Sequence, residues 1–411
     1  MVTAEVTEWQ AGPRCDKASN GMTRSCIPGT ETFHRCSNST ELDMGAGARA
    51  SSVHFHERPS NPRARRAFDI ASVSVGGRLV EVTERTIRKW PFANLIEFSR
   101  ADIDQNRILV IAPLAGGFPI LLRDLVLDLL RHGKVVAVAD WFDARYVPQG
   151  AGSFALEDEI GYVAEMIRTL GPALHVIGVC QAVVPALAAT ALLAANEPEK
   201  APSSLVLIGG PVDPLANPTG VVERLRSHSL KWLQENVIDA VPPGWPGEGR
   251  LVYPKALQLM SFAGYFMRNF AQGQELWWKF VADDGEDPLH FPFLALVSTM
   301  MDLPAEHFLE NIRCIFHDRD LVQHNLRFAG DKIDPDTISG TALMTVEGAN
   351  DDIAAPGQTF AAHALCRSIP GRKRRHLLLD SCGHFSLFHG QSCRMHVVPE
   401  IIGFINHEAR A

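Results

Sequence analysis

Residues 175–184 read HVIGVCQAVV, an apolar run that reaches Gly178-Val179-Cys180-Gln181-Ala182 and continues directly as VVPALAATALLAAN. A short β-branched run followed at once by an Ala- and Leu-rich stretch predicts a buried strand that turns into a buried helix. Such a turn strains the residue at its apex, and the residues two before and two after it must be small because strand and helix approach closely there. Gly178 and Ala182 meet that demand, with Ala in place of the more usual Gly. The turn leaves the Cys180 side chain at a helix N-terminus, whose partial positive charge suits an anionic nucleophile. A buried cysteine in a strand is often no more than a small core residue; at the apex of such a turn it is better placed to be a nucleophile.

The rest of the chain reads outward from this junction. SVSVGG followed by RLVEVTER alternates around a Gly-Gly turn, which predicts a β-hairpin, and LIEFSR (95–100) reads as a further strand. Apolar strands then alternate with helices. RILVIAP (107–113), KVVAVADW (134–141), LHVIGVC and SLVLIGGPV (204–212) are the strands; ILLRDLVLDLLRHG and DEIGYVAEMIRTLG (158–171) are helices. Uniformly apolar strands separated by helices predict a mostly parallel sheet covered on both faces, an α/β architecture. From 213 to 338 the alternation breaks into helical spacings rich in aromatics, with Leu259, Phe262, Phe266 and Phe270 on one face and Phe308, Ile312, Ile315 and Phe316 on another. This segment is expected to be a mainly helical cap inserted into a core of 67–212 and 339–411. Alternation resumes with TALMTVEG (341–348), AAHALCRSI, RRHLLLD and VVPEIIGFINHEA. Residues 1–66 carry almost no apolar periodicity and are expected to be disordered or loosely ordered.

Composition excludes several classes. Of 411 residues, 46% are hydrophobic and 21% charged, as in an ordinary globular protein, and the net charge of −8 argues against nucleic acid as a partner. The first residues, MVTAEVTEWQAG, lack a basic start and an apolar h-region, so a cytoplasmic protein is expected. HVIGVCQAVVPALAATALLAAN contains Gly, Gln and Pro185 and reads as strand plus helix, not as a membrane span. Cys15, Cys26, Cys36 and His34 match no paired Cys-x2-Cys spacing, so no metal is expected, and nothing signals an organic cofactor.

A nucleophilic thiol needs a base and a group that orients the base. In chain order after Cys180, TVEGANDDIAAP sets two acids beyond a late strand, and DSCGHFSLF sets His384 in a Gly-His turn beyond the last strand. That order of nucleophile, acid and histidine is the order of an α/β-hydrolase fold. Asp351 is taken as the acid with Asp352 as its alternative, because the sequence does not say which carboxylate points inward. His376 and His389 are other candidate bases, but neither follows a Gly at a strand exit. The oxyanion hole is expected at the backbone N–H of Gln181 together with an N–H of the LAGGF loop, Ala115 or Gly116. These glycines also fit a plain turn.

HVIGVCQAVVPALAA, LIGGPVDPLANPT, APLAGGFPILLR, ADWFDARYVP, VYPKALQL, VEGANDDIAAPGQTFAAH and CGHFSLFHG together resemble the intracellular polyhydroxyalkanoate (polyhydroxybutyrate) depolymerases. The likeness runs from about Ala67 to the C-terminus. It departs at Ala115 and Gly117, where that family is expected to carry a polar residue and His. The resemblance implies a cysteine-dependent α/β-hydrolase that degrades stored polyester at granules in the cytoplasm, with Cys180 as nucleophile, His384 as base and Asp351 as orienting acid. Two other readings stay open at this point. One is a polyester synthase-like acyltransferase, against which Ala182 argues gently; the other is a non-catalytic granule-binding protein.

Overall fold

The computed structural model describes residues 68, 70–103, 107–115, 121–261, 299–380 and 382–408. Residues 1–66, Phe262, Phe266, Phe270 and the loop residue Gly116 lie outside them. β1 (Ser72–Val75), β2 (Arg78–Lys89) and β3 (Ala93–Arg100) form an antiparallel meander. Its first turn places Gly76 and Gly77 at φ +57° and +77°, the left-handed pair that a two-residue hairpin requires. Alternation follows through β4 (Arg107–Ile111), α1 (Arg123–Arg131), β5 (Val135–Trp141), α2 (Leu156–Leu170), β6 (His175–Val179), α3 (Val183–Asn196) and β7 (Ser204–Ile208).

Between β7 and the next long strand lie α4 (Gly220–Ser227), α5 (Leu230–Asn236), β8 (Asp239–Ala240), β9 (Leu251–Tyr253), β10 (Leu303–Pro304) and α6 (Ala305–Asn311). A π-helical turn, Ile312–His317, and the ribbon of β11 (Arg327–Phe328) and β12 (Asp331–Lys332) follow. Strands of two or three residues are too short to show alternation, which is why these small sheets are invisible in the sequence. Ile312 and Ile315 are buried, and Phe308 stacks on Tyr253 with ring centroids 4.0 Å apart. The chain closes with β13 (Ala342–Gly348), α7 (Ala362–Leu365), β14 (Arg374–Leu379) and α8 (Val398–Glu408).

One nine-stranded sheet results, in the order β1-β2-β3-β5-β4-β6-β7-β13-β14. From β5 to β14 every neighbouring pair is parallel. This is the α/β-hydrolase architecture that the apolar runs predict: β4, β5, β6, β7 and β13 are almost wholly buried because helices cover both faces. α3 is apolar on nearly every side for the same reason, and among the described residues no helix is long and apolar enough to cross a membrane. α1 buries Leu125, Leu129 and Leu130, each adding about 1.5–3 kcal/mol. It also buries Asp124, whose Oδ2 accepts the Gly390 N–H at 2.7 Å and so ties this helix to the chain just beyond His384. Parallel order puts the C-terminal ends of these strands along one edge, where an open α/β sheet builds its sites.

Candidate active site

The chain leaves β6 at Val179 and enters α3 at Val183 through a single tight turn, Cys180–Ala182. Cys180 sits at φ +54°, a left-handed conformation that costs a non-glycine residue on the order of 1–3 kcal/mol. Close packing on both sides holds it there. A Cβ on Gly178 would come within 2.9 Å of the Ala186 Cβ and 3.1 Å of the Ala182 carbonyl oxygen, so no side chain fits. Cys180 as a whole residue is half-buried.

The loops after β13 and β14 run side by side. Asn350 donates its N–H to the Cys382 carbonyl at 3.0 Å, and a Cβ on Gly348 would stand 2.4 Å from that same oxygen. Their contact brings residues 351 and 384 together. Asp351 Oδ1 accepts the N–H groups of Ile353 (2.9 Å) and Ala354 (2.8 Å), which aims Oδ2 at His384 Nδ1, 2.8 Å away. His384 Nε2 lies 3.2 Å from Cys180 Sγ. Asp351 and His384 are only 3% and 2% exposed, so water does little to screen their side chains from each other. Burial opposes charge on His384. The Asp351 carboxylate and the Cys180 sulfur outweigh it and hold the imidazole pKa well above its ordinary 6.5.

The alternative candidates stand elsewhere. Asp352 is exposed. His376 Nδ1 is 2.9 Å from the Thr345 hydroxyl, and His389 Nδ1 is 3.4 Å from Asp124 Oδ2. The Ala115 N–H, expected from sequence to donate in the oxyanion hole, donates here to the Gln181 side-chain Oε1 at 3.3 Å. Among the described residues no group of His, Cys, Asp and Glu is arranged to hold a metal ion.

Four supporting positions are not singled out from the sequence. Gly209, at φ +54°, faces the dyad, and a Cβ there would meet Leu387 Cδ1 at 2.9 Å and lie 3.6 Å from His384 Nδ1. A Cβ on Gly210 would fall 2.2 Å from the Cys180 carbonyl oxygen, so the elbow closes only against glycine. The Thr359 hydroxyl accepts from Gly210 N (2.8 Å) and donates to Gly210 O (2.9 Å), fixing that glycine from the acid loop. Glu347, buried at the end of β13, organises the same loop by accepting the N–H groups of Gly357 (2.9 Å), Thr359 (2.7 Å) and Phe360 (2.9 Å). A lone acid in the apolar TALMTVEG and a Gly-Gly directly after SLVLI are signals for Glu347 and the glycines; Thr359 carries none.

Residues 209–409 match the family model described as PHB de-polymerase C-terminus. No curated protein sequence matches the chain. Among solved structures, a soluble variant of monoglyceride lipase from Saccharomyces cerevisiae is 12% identical with a TM-score of 0.47, over 82% of this chain and 97% of that one. A structure from a study of carboxylesterases of Nitrososphaera gargenis is 14% identical with a TM-score of 0.43, over 82% of this chain and 99% of that one.

Proposed function

We propose that this chain, whose residues 209–409 match the PHB de-polymerase C-terminus model, is a carboxylic ester hydrolase that hydrolyses stored poly(3-hydroxyalkanoate), poly(3-hydroxybutyrate) above all. Its working groups in this proposal are Cys180, His384 and Asp351. The observation that carries the reading is one line of contacts at the sheet's C-terminal edge: Sγ to Nε2 at 3.2 Å and Nδ1 to Oδ2 at 2.8 Å.

His384 takes the Cys180 proton and Asp351 stabilises the imidazolium that results. The raised His384 pKa favours this transfer, since both neighbours stabilise the charged ring. The thiolate attacks the ester carbonyl, and the oxyanion is met by the N–H of Gln181 and that of Ala115. Collapse breaks the C–O bond; the imidazolium protonates the departing alkoxide oxygen to a hydroxyl, and a thioester remains on Cys180. Water then attacks the thioester while His384 takes its proton. Collapse of the second tetrahedral adduct frees the acid and returns a proton to sulfur.

The segment 213–338 enters the proposal as a cap over this edge, and the polymer granule as the surface it works on. Support comes from the contacts beyond β5: Ala144 donates its N–H to Asp302 O at 3.0 Å, and Arg145 Nε lies 2.8 Å from Asp302 Oδ2. Native amorphous granules incubated with the wild-type protein should release 3-hydroxybutyrate, and Cys180→Ala should release none. Release by the variant at the wild-type rate would end the assignment.

A further inference from the structure

The side chain of Gln181 makes a contact for which the reaction as written has no use. Its Oε1 accepts the N–H of Ala115 at 3.3 Å. That N–H belongs to the loop after β4, which in this topology faces the oxygen of the reacting carbonyl. The acceptor seated on it is an sp² amide oxygen, neutral and of the same kind as an ester carbonyl oxygen. Gln181 also follows the nucleophile directly, so one residue carries both the backbone N–H expected to donate to the oxyanion and the side-chain oxygen that accepts from Ala115. We propose that the Gln181 carboxamide is a resident occupant of the oxyanion site, which an entering ester carbonyl displaces. This rests on the catalytic reading of Cys180.

Three features favour displacement over a structural tie. The bond is long for N–H···O. Both Gln181 and Ala115 are half-buried, so the carboxamide can rotate away and exchange its partner for water. The end of β4 is already anchored without it, because Trp141 Nε1 donates to the Ala112 carbonyl at 2.8 Å inside the core. The occupant then acts as a filter. It withholds one of the two donors from water and from weak ligands, and yields to a carbonyl delivered at the correct angle over the sulfur.

An occupant of the free enzyme weakens substrate binding and leaves the bound complex unchanged, so its removal should appear in KM and not in kcat. Gln181→Ala and Gln181→Met both remove the amide oxygen, and Met keeps the length and packing of the side chain. With a p-nitrophenyl butyrate substrate, each should lower KM by roughly fivefold, the weight of one neutral hydrogen bond, while kcat stays within about twofold. A tenfold fall in kcat at constant KM in both variants would show that Gln181 holds the loop in place, and would overturn the proposal. Unchanged kinetics in both would overturn it equally. Cys180→Ala, assayed alongside, separates the two levels: if it keeps wild-type esterase activity the catalytic reading falls and the occupant with it. If it is inactive while the Gln181 variants leave KM unaltered, only the occupant falls.

Discussion

Replacing Asp351 by Asn preserves the shape of the acid and removes one charge. The Asn Oδ1 can still accept from Ile353 and Ala354, so the loop keeps its fold and the amide nitrogen takes the place of Oδ2, 2.8 Å from His384 Nδ1. An NH2 group there is a donor. The imidazole must accept at Nδ1 and carry its proton on Nε2, directed at Cys180 Sγ, and in that tautomer it cannot take the thiol proton. Loss of this kind in a nucleophile–histidine–acid site lowers kcat by about 10⁴-fold, ~5 kcal/mol of barrier. The electrostatics are of the same size, since unit charges ~4 Å apart attract by about 4 kcal/mol at an effective dielectric of ~20. The variant's His384 pKa therefore falls. In the wild type this pKa is raised, so its contribution to stability is fully present below the unfolded value of about 6.5 and is lost as pH rises through the folded value. The wild type should exceed Asp351→Asn in stability most near pH ~5.5, with the difference shrinking as pH rises. Ester turnover at saturating substrate, together with chemical unfolding at several pH values, reads both effects. A kcat within tenfold of wild type, or a stability gap that widens with pH, would refute the reasoning.

Iodoacetamide at neutral pH should alkylate Cys180 first among the described cysteines, with activity lost in step. Burial pushes the Cys366 thiol up to about 12 and that of Cys314 further still, whereas Cys180 is half-buried and adjoins His384. Peptide mapping showing Cys314 or Cys366 labelled as fast as Cys180 would contradict this. Thr359→Val should destabilise the fold by about 2–4 kcal/mol, because it orphans the buried Gly210 N–H and removes a donor from Gly210 O. Thr359→Ser keeps the hydroxyl and should cost less than about 1 kcal/mol, the methyl aside. Equal unfolding midpoints for the two variants would show that the bonds to Gly210 carry no weight.

Much of this architecture was legible along the chain because its causes are local or periodic. A strand covered on both faces by helices must be apolar throughout, so RILVI, VVAVA, HVIGV and SLVLI announce β4, β5, β6 and β7 without any knowledge of their neighbours. The elbow is equally local: Gly178 needs to be small because of Ala182 and Ala186, a few residues further on. Other features are set by partners distant in sequence. Asp351 and Asp352 are adjacent acids in one loop, and only the packing of that loop against the one after β14 turns the first toward His384, while the second is exposed. Gly210 must be glycine because of the Cys180 carbonyl and the Val183 side chain, and Thr359 reaches it across 149 residues of chain. Gln181 reads from the sequence as a backbone donor; that its side chain lies on the Ala115 N–H depends on β4 and β6 being neighbours in the sheet. Apolar periodicity reports how far a residue is withdrawn from water, and so determines the strands, the helices and their layering. Hydrogen-bond partnership is decided by which loop ends the sheet order brings together, and no periodicity along the chain encodes it.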